Sequence, residues 1–252
     1  MIKIGLLGCG NVGHIIASRP DIVSTVAVYD IVGERVRELA AVCGAAPCEE
    51  FEEFLNHDYD IVVEAASVPA VKKYAEDILA RGKNIVILSV GALANEDFKN
   101  RLIEIASAKG RKIYIPSGAI TGLDNLKIGQ ITGFKKLLLK TTKSAASLGI
   151  KCNEKVLIFE GTANECIKKY PKNINVAIAL GLAAGRETEV ELWVDPNIDR
   201  NMHEVIAEGD FGEISIKVSN VPSPENPATS YMAALSILTL LKNIDSPIII
   251  GT

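Results

Sequence analysis

The stretch Ile4-Gly5-Leu6-Leu7-Gly8-Cys9-Gly10-Asn11-Val12-Gly13, with its continuation to Val28-Tyr29-Asp30, decides the fold. An apolar run, Ile4 to Leu7, precedes glycines at 8, 10 and 13, and a helical pattern starts near Val12. A second apolar strand, Thr25 to Tyr29, then ends on an acid, Asp30, twenty residues after Gly10. The first glycine permits the tight turn, the second lets the backbone approach a pyrophosphate, and the third lets helix and strand pack closely. The helix N-terminus directs unpaired N–H groups and a positive dipole end at the phosphates. A carboxylate at the position of Asp30 accepts ribose hydroxyls of NAD and repels the 2′-phosphate of NADP. The stretch therefore reads as a cradle for a dinucleotide, built from Gly8, Cys9, Gly10, Asn11, Val12, Gly13 and Asp30, with NAD favoured and NADP possible. Cys9 and the following His14 read as packing or surface residues rather than chemistry.

Outward from that cradle, the first half alternates strand and helix. Strands fall near 59–64, 84–88 and 112–115, with helical stretches near 32–42, 69–81 and 95–109. Such alternation gives a parallel sheet with helices on both faces, a Rossmann-type doubly wound α/β domain. The short runs Ile61-Val62-Val63 and Ile85-Val86-Ile87-Leu88 suit central strands covered on both sides. They lead into small-residue loops, Ala65-Ala66-Ser67 and Ser89-Val90-Gly91, on the edge where ligands bind in this architecture. Ala65, Ala66 and Ser67 thus join the expected cofactor contacts.

The pattern changes near Pro116. Val190, Leu192 and Val194 alternate with Glu189, Glu191 and Trp193, and Ile214, Ile216 and Val218 with Glu213, Ser215 and Lys217. A period of two means a sheet with one face buried and one open, hence a second, α+β mixed-sheet domain. A last helix is expected from about Ala228 to Asn243, with Asn226 as N-cap and Pro227 at its first position. Its apolar residues Tyr231, Leu235, Leu238 and Leu241 recur three or four apart, so one face must be buried, and we expect it to return to the first domain. The expected domains are 1–117 plus 224–252 for the dinucleotide and 118–223 for catalysis.

The chain has 252 residues and a net charge of −4, with no basic cluster, which argues against nucleic-acid and anionic-membrane partners. No apolar run is long enough for a membrane span. The first strand starts at once, so no signal peptide is expected and a cytoplasmic location follows. Five cysteines without a Cys-x-x-Cys pair indicate free thiols, and no metal site is expected.

Chemistry must come from the second domain. Of three histidines, His57 lies in a polar turn, Asn56-His57-Asp58, and reads as solvated. His203 follows Asp195-Pro196-Asn197-Ile198-Asp199-Arg200-Asn201-Met202 after a strand, which places an imidazole among polar side chains at a strand–loop junction. Its ordinary pKa suits proton transfer near neutrality. A surface or structural role remains open on this pattern alone.

Four separated segments carry a resemblance: Pro116-Ser117-Gly118-Ala119-Ile120-Thr121-Gly122-Leu123-Asp124, Tyr170-Pro171-Lys172-Asn173-Ile174-Asn175-Val176, Asp195-Pro196 through Met202-His203, and Asn226-Pro227-Ala228-Thr229-Ser230. Together, and in this order after the glycine loop, they resemble the L-aspartate dehydrogenase family. The resemblance implies NAD(P)-dependent oxidative deamination of L-aspartate to iminoaspartate, which water converts to oxaloacetate and ammonia, and a link to de novo NAD synthesis. It also implies His203 as the active-site histidine and further cofactor contacts at Ala119 and Asn175. A dicarboxylate substrate calls for cationic or N–H donors. Lys143, Arg200 and the segment starting at Asn226 are the candidates, although Ser144-Ala145-Ala146 stands after Lys143 where family members often carry prolines. A homodimer is expected, because a half-open sheet has a face to cover.

Homoserine dehydrogenase and dihydrodipicolinate reductase share the two-domain plan, but the paired histidines of the latter are absent. A semialdehyde dehydrogenase would need a reactive cysteine beside a histidine, and Cys152 and Cys166 lack that setting. A non-catalytic NAD-binding sensor predicts cofactor binding without turnover.

Overall fold

The computed structural model describes residues 1–170, 175–223 and 226–250, with side chains at 226–229 outside the description. The chain forms two compact units, Met1–Pro116 with Ala234–Ile250, and Ser117–Ala233.

In the first unit, β1 (Ile2–Leu7), α1 (Asn11–Ala17), β2 (Val23–Tyr29), α2 (Gly33–Cys43), β3 (Ala46–Cys48), α3 (Phe51–Asn56), β4 (Ile61–Glu64), α4 (Val68–Ala80), β5 (Asn84–Ile87), α5 (Glu96–Lys109) and β6 (Ile113–Tyr114) follow in order. The six strands pair in parallel in the order β3-β2-β1-β4-β5-β6. The order reverses between β1 and β4, so their carboxyl ends open a crevice at the switch point. Ile4, Leu6, Val28, Val63 and Val86 are buried on one face of the sheet and Leu7, Val62, Ile85 and Ile87 on the other, as strands covered on both faces require.

The second unit runs α6 (Leu123–Leu126), α7 (Gly129–Thr132), β7 (Lys136–Ser144), α8 (Ala145–Leu148), β8 (Val156–Thr162), α9 (Ala163–Lys169), α10 (Asn175–Ala184), β9 (Glu189–Asp195), β10 (Met202–Gly209), β11 (Gly212–Ser219), β12 (Pro222–Ser223) and β13 (Asn226–Ser230). Five strands form a mixed sheet, β11-β10-β7-β9-β8, in which β7 and β9 are parallel and the other neighbours antiparallel. Val205 and Ala207 face Leu139 and Leu137 across β10 and β7, while Val190 and Leu192 continue that covered face on β9. Directly paired residues point to the same side, so this face is apolar by construction.

The last helix, α11, spans Tyr231–Ile244. The expected N-cap at Asn226 and first turn at Pro227 are corrected: 226–230 is a strand, β13, paired antiparallel with β12 through Pro222–Ser230 and Ser223–Asn226. Pro227 supplies no ladder N–H but tolerates an edge strand, and the short hairpin takes the backbone that local capping chemistry assigned to a helix. From Ala234 onward α11 belongs to the first unit's core, where Ala234, Ile237, Leu238 and Leu241 pack with Ile4, Leu6, Val28 and Val63. At roughly 1.5–3 kcal/mol for each large apolar side chain removed from water, Ile237, Leu238 and Leu241 alone secure the return. Among the described residues no helix is long and apolar enough to cross a membrane.

Candidate active site

The residues expected to cradle a dinucleotide lie at the carboxyl ends of β1, β2 and β4 in the first unit. Gly8 has φ +109°, and a Cβ there would lie 2.6 Å from the Ala65 carbonyl oxygen and 2.9 Å from the Ala66 Cβ. A Cβ at Gly13 would meet the Gly8 carbonyl oxygen at 2.3 Å, so helix α1 approaches the turn too closely for any other residue. At Gly10 a Cβ would meet nothing within 4 Å, which leaves backbone open to a ligand. Asn11 and Val12 open α1, whose N-cap, Gly10, contributes no side-chain bond. Cys9 is buried and its backbone N–H donates to Asp30 Oδ2 at 2.8 Å, while the Val32 N–H donates to Oδ1 at 2.9 Å. Asp30 is thereby fixed at the tip of β2 with lone pairs on both oxygens to spare for hydroxyl donors. Burial, followed by the Asp30 charge, pushes the Cys9 thiol up to about 12, so it is a packing group and no nucleophile.

Ala65, Ala66 and Ser67 follow β4. The Ser67 hydroxyl accepts from the Ala70 N–H at 3.3 Å and caps α4. Sequence reasoning missed the group beneath them. Glu64, the last residue of β4, is completely buried and accepts four hydrogen bonds: Ala66 N–H (2.9 Å), Leu88 N–H (3.1 Å), Ser89 N–H (2.9 Å) and Ser89 Oγ–H (2.8 Å). Burial pushes its carboxyl up, and the donors oppose that push by favouring the ion. The carboxylate thus ties the loop after β4 to the loop after β5. An acid closing the apolar run Ile61-Val62-Val63 was the available signal.

In the second unit, His203 is corrected from a strand–loop junction among polar groups to the second residue of β10, on the covered face and 6% exposed. It stands directly opposite Thr141 on β7, and Thr141 Oγ1 lies 3.0 Å from Nδ1. Burial, and then the charge of Lys143, lowers the imidazole to about 4, so the ring is neutral at physiological pH. For Nε2 to act as a base the proton must sit on Nδ1 and be donated to Thr141. A cavity of about 270 Å³, lined by Lys140, Thr142, Trp193, Met202 and Lys217, opens on the other side of this sheet. His203 borders it, but strand alternation and the Thr141 bond turn the ring away, so the imidazole does not work there.

Ala119 is drawn to the His203 end of the sheet by buried Asn220, a residue the sequence did not single out. Asn220 Nδ2 donates to the Ala119 carbonyl at 2.9 Å, its backbone N–H donates to the Asn201 carbonyl at 2.8 Å, and its Oδ1 accepts from Ser230 Oγ at 2.6 Å. Asn175 is the first residue of α10 and is exposed; the adjoining 171–174 lie outside the described residues. Among the proposed carboxylate binders, Arg200 pairs with its neighbour Asp199 at 2.9 Å on the surface, and the segment from Asn226 is not a helix start. Lys143 lies on β7 beside Thr141.

A family model described as the C-terminal domain of aspartate dehydrogenase matches residues 124–244, and one described as the NAD-binding domain of homoserine dehydrogenase matches 8–116. L-aspartate dehydrogenase of Methanospirillum hungatei is 56% identical over 252 residues, covering all of both chains. That of Methanothermobacter thermautotrophicus is 41% identical, covering all of this chain and 99% of its own. A crystal structure of aspartate dehydrogenase from Thermotoga maritima superposes with TM-score 0.85 at 31% identity, covering both chains completely. Homoserine dehydrogenase from Thermoplasma acidophilum shares the fold, with TM-score 0.59 at 12% identity.

Proposed function

The chain belongs to the L-aspartate dehydrogenase family, and from that premise we propose that it catalyses NAD(P)-dependent oxidative deamination of L-aspartate, with His203 as the acid–base residue. The single observation that carries the mechanism is the pairing of His203 with Thr141: a buried neutral imidazole is held through Nδ1, which leaves Nε2 for the substrate. The bound nicotinamide supplies the hydride acceptor. The open backbone at Gly10, the close packing at Gly8 and Gly13, and the fixed Asp30 carboxylate fit a dinucleotide, and Ala65, Ala66, Ser67, Ala119 and Asn175 are its further contacts in this reading.

Loss of the Cα hydrogen with its electron pair leaves iminoaspartate. His203 Nε2 takes a proton from the water that adds to the imine carbon, the N–H on Nδ1 stabilises the imidazolium through Thr141, that proton passes to the nitrogen, and Nε2 takes the proton of the added hydroxyl as the C–N bond breaks and the carbonyl forms. The products are oxaloacetate and ammonia. Asp30 selects NAD over NADP by repelling a 2′-phosphate. The same reading takes the protein as a cytoplasmic homodimer supplying iminoaspartate for NAD synthesis; Met202, Ile206 and Trp193, on the less covered face of the second sheet, are apolar area that a second copy would cover.

The test is nicotinamide reduction with NAD or NADP and a panel of L-aspartate, D-aspartate, L-homoserine and L-glutamate. Turnover is expected with L-aspartate alone and should fall about 10²–10⁴-fold in His203→Ala. Asp30→Ala should erode the preference for NAD. Cofactor binding without turnover on any substrate would favour a sensor.

A further inference from the structure

In the first unit, β3 ends at Cys48, the chain turns through Glu49-Glu50, and α3 carries Glu53 before His57 closes it as C-cap. Glu53 and His57 are four residues apart and so lie on one side of the helix. Among the described residues this is the one place where three donors from His, Cys, Asp or Glu converge. The Cys48 Sγ, a Glu53 carboxylate oxygen and an imidazole nitrogen of His57 all lie within 4.8 Å of one another. The spacing, Cys-x-x-x-x-Glu-x-x-x-His, matches none of the usual zinc signatures, so the cluster becomes visible only in the fold. Its frame is well anchored. Phe54 and Leu55 bury another side of α3, and the Tyr59 hydroxyl donates to the Phe54 carbonyl at 2.7 Å. Lys83 Nζ donates to the His57 carbonyl at 3.0 Å and to the Tyr59 carbonyl at 2.8 Å, which fixes the backbone that carries the imidazole. Arg81 is engaged by Glu52 and Asn56. Cys48 is completely buried, His57, read from the sequence as solvated, is half-buried, and Glu53 is exposed. A cation entering from the Glu53 side therefore meets the sulfur where water is scarce. Burial, followed by the Glu53 charge, pushes the Cys48 thiol up to about 11, and a divalent ion between the two groups reverses that repulsion.

We propose that Cys48, Glu53 and His57 bind a zinc ion, with water in the fourth position, and that the ion pins the edge strand β3 to α3. Zinc takes thiolate, imidazole and carboxylate at about 2.0–2.3 Å, so a tetrahedral set needs its donors about 3.3–3.8 Å apart. Rotation of the exposed Glu53 side chain and a small turn of the imidazole close the difference. Thiolate and carboxylate together balance the two charges of the ion, which suits a half-covered site. As the Zn–S bond forms, the thiol proton passes to water. A sulfur donor disfavours magnesium and calcium. The three residues of β3, at the end of the sheet, offer little pairing of their own, and the ion adds a tie there.

The test uses the full chain, stripped with a chelator, and cobalt(II) as a probe of tetrahedral thiolate ligation. One equivalent is expected to bind, with a thiolate-to-cobalt charge-transfer band in the near ultraviolet, and zinc should displace it. Cys48→Ser should abolish that band. Glu53→Gln and His57→Gln should weaken cobalt binding by more than about 100-fold, since loss of an outer-shell partner alone costs about 10–100-fold. Zinc should raise the Tm of the wild type and leave all three variants unmoved. Where Cys48→Ser fails to fold, the other two variants, at less buried positions, decide alone. Absence of the band in the wild type, its survival in Cys48→Ser, or unchanged affinity in both Glu53→Gln and His57→Gln would overturn the site.

Discussion

Protonation of His203 should cost stability in a defined pH window. The imidazole is 6% exposed, and its pKa falls from an ordinary 6.5 to about 4 because burial disfavours the cation and Lys143 repels it. Between those values the unfolded chain binds a proton that the folded chain refuses, so stability rises with pH across the window and is level above it. Coming down from neutrality, the contribution is whole above pH 6.5 and is lost progressively towards pH 4. At 1.36 kcal/mol per pH unit the full loss is roughly 3 kcal/mol. The assay is urea denaturation at fixed pH values from 4 to 8, followed by the fluorescence of Trp193, the single tryptophan, which sits on β9 of the same unit. His203→Asn is the reference, because its amide can keep a bond to Thr141 without titrating. The wild type minus variant difference isolates this group from the carboxylates that titrate nearby. Equal pH slopes in the two proteins, or an NMR titration placing His203 near 6.5, would refute the picture of a buried neutral base.

Thr141→Val conserves shape and removes the acceptor of the Nδ1 proton, leaving a buried N–H unpaired at a cost of about 1–3 kcal/mol. We expect kcat to fall about 10- to 100-fold with little change in KM for L-aspartate and rescue by Thr141→Ser; a valine variant equal to wild type would show that the hydroxyl does not orient the ring. Glu64→Gln turns one carboxylate oxygen into a donor facing the Ala66 or Leu88 N–H groups, the first of them in the loop that abuts Gly8. NADH should bind about tenfold more weakly, as one lost buried hydrogen bond implies, and an unchanged titration by NADH fluorescence would mean that the clamp does not shape the cradle.

What could be read from the chain followed the range of each interaction. The glycine turn, Asp30 and the strand runs of the first unit are local patterns whose structural meaning lies within one βαβ step, and the structure repeats them with boundaries moved by at most two residues. The alternation at Val190-Leu192-Val194 likewise identified a one-sided sheet. Local signals failed where a distant partner decided. Asn226-Pro227 carries strong helix-start chemistry, yet pairing with Pro222 and Ser223 makes that segment a strand and delays the helix to Tyr231. The lone His203 was legible as a residue type, but its environment was not. The ring's partner, Thr141, stands 62 positions away, and only the antiparallel register of β10 on β7 makes them neighbours. Shifting that register by one residue would turn His203 to the opposite face, beside Lys140 and Trp193, where water would return its pKa toward the ordinary value. The environment of the candidate site is therefore a property of strand register, and Leu139 with Val205 and Leu137 with Ala207, the apolar pairs next along the ladder, fix the imidazole as surely as Thr141 does.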